Sequence, residues 1–372
     1  MLTGAPKIVM FHGFASGAGL FALALPALTQ QFEVIAVDMP GCGLSPRIPY
    51  TPTSTETSEK WYMDAFDAWF DSKEAPTEPV TLLGHSLGGY MSALWAMKSP
   101  DRVAHLVLAS PVGVPHEPQW TEEQQKHRSS WLWWTLSKLW SNNATPQSLV
   151  RLAGPWGRDL TTTIVKKRFS FATLAHPLHV PSLAEYIYQI SAAPGSGEWA
   201  LKYILKPGAW AFNPIGPRMI EAGTTGGFRA PITFLYGSHD WMSPDAALDV
   251  AAAVRTAGVD ASVHVVQQAG HQIFMENPEG FAGAVIQAAF SKTPALMGPG
   301  MKAPGAAFVG LGSAAPAAAS AASGADSELS ASHAAHIGTE MPDETDVSRQ
   351  AEVSAQVSAE IAGGPLAASR EA

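Results

Sequence analysis

The sequence predicts an α/β fold: a mostly parallel sheet with helices on both faces and a large helical cap inserted between two of its strands. Three observations carry that prediction. Short apolar runs rich in β-branched residues alternate with helix-like stretches over residues 1–292, the pattern of a parallel sheet built from strand–helix units. The alternation stops between Val112 and Ala230, a Trp-rich stretch that reads as helical or irregular. Past residue 292 the chain turns rich in Ala, Gly, Ser and Pro and loses its apolar period.

The strands are expected at Lys7–Phe11, Phe32–Val37, Val80–Leu83, Val103–Ala109, Ile232–Tyr236 and Ser262–Val266. Several are apolar throughout, as strands covered on both faces should be. Helices are expected at Thr55–Ser72, Leu87–Lys98, Pro244–Thr256 and Pro278–Ser291. The organisation that follows is a core made of residues 1–111 and 231–292, a cap of residues 112–230 over the mouth of the site, and a tail of residues 293–372. The tail holds nine acids against three bases. It cannot bury enough apolar surface to offset its ordering entropy, so disorder is expected there, with a weak helix around Val347 to Ile361.

Composition excludes several classes of function. The 372 residues are 46% hydrophobic and 15% charged with a net charge of −9, which suits a globular core and argues against a nucleic-acid surface. The single cysteine, Cys42, leaves no intramolecular disulfide and no zinc ribbon, and the scattered histidines form no metal motif. No cofactor is expected, and the absence of a G-x-G-x-x-G dinucleotide fingerprint after the first strand argues against a nicotinamide enzyme. The first residues carry no basic-then-apolar leader, and no apolar run is long enough to span a bilayer. The expected location is the cytoplasm.

The chemistry-bearing segment is Val80-Thr81-Leu82-Leu83 running into Gly84-His85-Ser86-Leu87-Gly88-Gly89. This is G-x-S-x-G between a strand and a helix, a turn so tight that the serine takes a strained backbone and its flanking glycines must lack side chains. A serine hydroxyl is a poor nucleophile and needs a base. Downstream, one strand ends in Gly237-Ser238-His239-Asp240 and the next in Gln268-Ala269-Gly270-His271. The order Ser86, Asp240, His271, each just past the carboxyl end of a strand, predicts nucleophile, acid and base. His239 adjoins the acid too closely in sequence to be oriented by it. Two backbone donors are expected to hold an oxyanion: the Leu87 amide and the Phe14 amide, with Ala15 the alternative to Phe14, in the loop Phe11-His12-Gly13-Phe14-Ala15. His12 reads as a structural hydrogen bonder. Asp38-Met39-Pro40-Gly41-Cys42-Gly43-Leu44-Ser45 reads as a tight turn beside the site, with Cys42 structural.

Over Lys7 to Ser291 these motifs resemble the α/β-hydrolase superfamily. Arg151-Leu152-Ala153-Gly154-Pro155-Trp156-Gly157, Glu185-Tyr186-Ile187-Tyr188 and Ser196-Gly197-Glu198 resemble its abhydrolase-domain type four and five subfamily. That resemblance implies a hydrolase of lysophospholipid or N-acyl phospholipid. Its alternatives are an acyl-CoA-dependent lysophosphatidic acid acyltransferase and a lipase coactivator without chemistry. The coactivator type carries Asn at the nucleophile position; this chain has Ser86. The subfamily's proposed acyltransferase motif is H-x4-D from the histidine, whereas this chain ends His271-Gln272-Ile273-Phe274-Met275 with Glu276, expected to serve as a helix-start acid. The fold normally begins with two strands more than the six residues before Lys7 allow; those strands are expected to lie outside this sequence, the alternative being that this member lacks an edge of the sheet and leaves Phe32–Val37 unprotected.

The cap suggests partners. Trp131-Leu132-Trp133-Trp134-Thr135-Leu136-Ser137-Lys138-Leu139-Trp140 follows the basic run Lys126-His127-Arg128. On a helix, Leu132, Leu136, Leu139 and Trp140 share one face with Trp133 beside them. Trp133 and Trp134 either dock on a membrane or lipid-droplet surface, since indole favours such interfaces, or pack as cap core; both readings stay open. Lys166-Lys167-Arg168 and Arg218 are candidates for anionic headgroups and phosphate, against the plain reading of solvated charge. A small-molecule esterase or peptidase on the same fold is a further rival, and oligomeric state is not legible.

Overall fold

A computed structural model describes residues 5–122, 125, 130–169, 179–292 and 310–311. The strands are β1 (Lys7–Phe11), β2 (Glu33–Val37), β3 (Val80–His85), β4 (Val103–Ala109), β5 (Ile232–Gly237), β6 (Ala261–Val266) and β7 (Gly310–Leu311). They form one sheet in the order β2-β1-β3-β4-β5-β6-β7. Every neighbouring pair from β2 to β6 is parallel, and β7 runs antiparallel to β6. Among the described residues β2 has a neighbour on one side only, and its residues are half-buried to exposed.

Alternation along the strands sorts the core into two layers. Val9, Phe11, Leu82, Leu106, Leu108, Ile232, Phe234 and Tyr236 face one apolar cluster. Ile8, Met10, Leu83, Val107, Ala109 and Leu235 face the other. A period of two with both phases apolar is what a doubly covered parallel strand requires. The α-helices are α1 (Leu25–Leu28), α2 (Thr55–Phe70), α3 (Leu87–Lys98), α4 (Trp131–Ser141), α5 (Pro146–Leu152), α6 (Gly157–Arg168), α7 (Val180–Ala192), α8 (Leu201–Ile204), α9 (Ile215–Thr224), α10 (Asp245–Thr256), α11 (Ile273–Glu276) and α12 (Pro278–Lys292). Helix α2 starts on a capping box in which the Ser54 hydroxyl accepts the Thr57 amide and the Thr57 hydroxyl accepts the Ser54 amide. Helix α3 is buried from Leu87 to Ala96, so it has no polar face.

Most sequence-predicted elements appear with ends shifted by one or two residues. The larger difference is at β3, which continues through Gly84 and His85 up to the serine; its last two residues pair with Leu108 and Ala109 of β4. Helices α4 to α9 lie between β4 and β5, where the alternation stops in the sequence. Strand β7 is a departure from the expectation for the tail: Gly310 and Leu311 pair with His264 and Val263. The weak helix expected around Val347 to Ile361 lies outside the described residues. No helix among the described residues is long and apolar enough to cross a membrane.

Candidate active site

The turn after β3 is built by steric exclusion. A Cβ on Gly84 would stand 2.3 Å from the Gly88 carbonyl oxygen, and one on Gly88 would stand 2.4 Å from the His12 carbonyl oxygen. Only glycine lets β3, α3 and the loop after β1 approach so closely. Between them Ser86 is held at φ 53 and ψ −117, a conformation that L-residues rarely adopt and that surrounding contacts must enforce. Its amide donates to the Ala109 carbonyl, and its own carbonyl accepts from Tyr90 and Val112. The hydroxyl is thereby fixed beyond the carboxyl edge of the sheet, and the residue is 8% exposed.

Two loops meet it there. His271 Nε2 lies 3.1 Å from Ser86 Oγ, and His271 Nδ1 lies 3.1 Å from Asp240 Oδ1. The two loops interlock, because the His239 amide donates to the Ala269 carbonyl. Asp240 accepts two further bonds: Oδ1 from the Met242 amide at 3.1 Å and Oδ2 from the Ser110 hydroxyl at 2.5 Å. Burial pushes the Asp240 carboxyl up, but the adjacent His271 and the bonds from His271, Ser110 and Met242 outweigh it and hold it below the usual carboxylate value. Ser110 sits past β4 at φ 45 with a fully buried side chain. It was not singled out in the sequence, where nothing ties it to an acid 130 positions away.

His85 packs beneath His271, with ring centroids 4.8 Å apart, and its Nε2–H donates to the His271 carbonyl at 2.9 Å. Burial, helped by the nearby His271, lowers its pKa to about 3, so it stays neutral. Trp241 flanks the other side of the His271 ring, 5.2 Å between centroids. His12 is fully buried; its Nε2 accepts the Met39 amide at 3.0 Å, leaving Nδ1–H to donate to the Gly13 carbonyl at 2.7 Å. That is the structural role expected of it, and burial lowers its pKa as well. A Cβ on Gly13 would stand 3.0 Å from Ser86 Cβ, which puts the Gly13–Phe14 peptide beside the serine. Ala15 follows at φ 52. Leu87 opens α3, so its N–H has no intrahelical acceptor and lies at the positive end of the helix dipole.

The Asp38 turn shapes the floor next to this loop. Asp38 accepts the Ala18 amide at 2.7 Å and the Leu44 amide at 2.8 Å. Gly41 and Gly43 sit at φ 71 and φ 51, and a Cβ on Gly43 would strike the Asp38 carboxyl. Burial pushes the Cys42 thiol up to about 12, consistent with the structural reading. His239 bonds to the Ser238 hydroxyl instead of the acid beside it.

One expectation needs correction, and two further charged residues have partners that a local reading does not reveal. Arg218 does not face open solvent as a phosphate site: its Nη1 pairs with both Glu59 oxygens at 3.0 and 3.1 Å, and Glu59 also accepts the Tyr90 hydroxyl at 2.5 Å. The partner lies 159 positions away and is invisible to a local reading. Arg168 is exposed, in line with the plain reading of solvated charge, and also pairs with Glu276 at 3.4 Å. Glu276 stands just ahead of the helix that begins at Pro278, but its side chain is 0% exposed and it accepts the Gly270 amide next to His271. The helix carrying Trp133 and Trp134 is present as α4, but those two side chains lie outside the described residues. From the same helix, the Trp140 indole N–H donates to the Leu205 carbonyl at 2.9 Å, while Leu139 is 40% exposed. A hollow of about 540 Å³, lined in part by His116, Glu117, Trp120, Lys206 and Phe212, touches none of Ser86, Asp240 or His271.

Comparison with known proteins agrees with the architecture. The model of the α/β hydrolase fold family matches residues 6–278. A 1-acylglycerol-3-phosphate O-acyltransferase of Arabidopsis thaliana is 38% identical over 77% of this chain, which spans 66% of that relative's length. A (lyso)-N-acylphosphatidylethanolamine lipase of Bos taurus is 31% identical over 75% of this chain and 77% of its own. The solved structure of a membrane phospholipase A, described as a bacterial virulence factor, superposes with a TM-score of 0.52 at 21% identity, covering 78% of this chain and 80% of that one; at that identity it speaks for the fold alone. A strained serine between β3 and α3 and a hydrogen-bonded Ser–His–Asp chain at the carboxyl ends of β3, β5 and β6 accompany these matches, and the chain belongs to the α/β-hydrolase family, alongside relatives of the abhydrolase-domain four and five type.

Proposed function

We propose that the chain is a serine hydrolase of lipid acyl esters or amides, acting on lysophospholipid or N-acyl phospholipid through Ser86, His271 and Asp240. The observation that carries this reading is the unbroken hydrogen-bonded chain from Ser86 Oγ through His271 to Asp240. Ser86 Oγ attacks the substrate carbonyl carbon while His271 Nε2 takes its proton. Asp240 orients the ring through Nδ1 and stabilises the imidazolium. The tetrahedral oxyanion is held by the Leu87 and Phe14 amides, the first at a helix N-terminus. His271 returns the proton to the departing alkoxide or amine, leaving acyl-Ser86, and a water activated by the same histidine then releases the fatty acid.

The lipid substrate class is supported by the two relatives named above, whose names both concern acyl groups of phospholipids. The more similar of the two favours a second reading, in which the hydroxyl of lysophosphatidic acid replaces water as acceptor and acyl-CoA is the donor. The first test is labelling with a fluorescent fluorophosphonate. Wild type is expected to label and folded Ser86→Ala is not; a folded wild type that stays unlabelled overturns the reading. Product analysis with lysophosphatidic acid, with and without acyl-CoA, then separates hydrolysis from transfer.

A further inference from the structure

Glu276 ends the short helix α11, which begins two residues after His271. Its carboxyl is fully buried, a position that is costly for an ionisable group unless each oxygen has a partner. One oxygen accepts the Gly270 amide, and the other lies 3.4 Å from Arg168 Nη1. The fit at Gly270 is close, since a Cβ there would stand 2.8 Å from Glu276 Oε2. Arg168 is the last residue of α6, one of the helices inserted between β4 and β5. Nearby, Val165 and Phe169 from the same end of α6 belong to the apolar cluster that contains Phe274, Met275 and Phe281. The end of α6 is therefore docked on the segment behind His271 by apolar packing and by one ion pair.

We propose that Glu276 is a positioning residue for His271, and that its grip depends on Arg168, so that the seating of the inserted helices sets the reactivity of Ser86. This rests on the serine-hydrolase reading. Glu276 holds the Gly270 amide, and the next residue along the backbone carries the imidazole that must stay within hydrogen-bond reach of Ser86. Arg168 balances the buried carboxyl and keeps it aimed at Gly270. A lipid that displaces α6 withdraws the guanidinium, slackens the Gly270 contact and lets the ring drift from Ser86. Misplacement on that scale is costly for a reacting geometry.

The test is a double-mutant cycle on the full chain, read by the second-order rate of fluorophosphonate labelling. Glu276→Gln keeps an oxygen for the Gly270 amide and removes the charge; Arg168→Gln removes the partner, which is 42% exposed and so tolerates the change. Each single variant is expected to label about tenfold more slowly per folded molecule, and the double variant no more slowly than Glu276→Gln alone. Arg168→Lys restores part of the rate. A pair that only holds the fold would shift the midpoint and leave the rate per folded molecule intact. Wild-type labelling by Arg168→Gln, or two effects that multiply, overturns the proposal. Should Glu276→Gln not fold, Arg168→Gln decides alone. Should wild type not label, the hydrolase reading has failed, and hydrogen exchange at the Gly270 amide then judges the contact: faster exchange in Arg168→Gln supports it and equal exchange refutes it.

Discussion

His85 makes a sharp demand on how stability depends on pH. It is 1% exposed, donates Nε2–H to the His271 carbonyl, and has no partner for Nδ1. Its pKa falls from an ordinary 6.5 to about 3 in the folded chain. The unfolded chain binds a proton below pH 6.5 that the folded chain refuses until about pH 3. The neutral imidazole's contribution is therefore complete above pH 6.5 and is lost progressively as pH falls toward 3. Each pH unit within that window costs about 1.4 kcal/mol, and the whole shift corresponds to about 5 kcal/mol. His85→Gln offers an amide donor to the same carbonyl but does not titrate. Between pH 6 and pH 4.5 wild type should lose about 2 kcal/mol more unfolding free energy than this variant. Urea unfolding at half-unit steps measures both curves, and the buried His12 affects the two equally. Parallel curves would refute the reasoning, because they would mean that His85 takes up a proton in the folded state as readily as in the unfolded one.

Two further predictions test the scaffold of the site. Gly84→Ala places a Cβ 2.3 Å from the Gly88 carbonyl oxygen, against backbone that cannot yield; about 2–3 kcal/mol of stability should be lost, seen as earlier thermal unfolding, whereas an unchanged midpoint would show that the turn has room. Ser110→Ala removes the donor to Asp240 Oδ2 in a fully buried position; kcat for ester hydrolysis should fall about tenfold or more with KM unchanged, and an unchanged kcat would remove Ser110 from the support of the acid.

The alternation of strands and helices was legible because both phases of each central strand are apolar, a local property of the sequence. Ser86, Asp240 and His271 could be selected for a similar reason: each lies within a few residues of the carboxyl end of a strand, and the glycines around Ser86 announce a turn that tolerates no side chain. What carries those residues into contact was not legible. Ser110 reaches Asp240 across 130 positions, Arg168 reaches Glu276 across 108, and Arg218 reaches Glu59 across 159. A charged residue read by itself looks like a solvated face or a ligand site, since its counter-charge depends on which helices the sheet brings together. The partners of Arg218 and Glu276 escape a local reading for this one reason.

The same contrast separates the Ser–His–Asp chain from the helices inserted between β4 and β5. The Ser–His–Asp chain and its glycines follow from strand ends, which any sheet of this topology supplies. The inserted helices make contacts of another kind: Arg168 with Glu276, Arg151 with Glu198 within the insertion, and the Tyr186 hydroxyl accepting the Gly19 amide. Each joins an inserted helix either to a loop near Ser86 or to a buried carboxyl. Substitution in such pairs acts on when and on what the serine works, whereas substitution at the strand ends acts on whether it works at all. The inserted helices are therefore where the choice between water and a lysolipid hydroxyl as acceptor has to be sought.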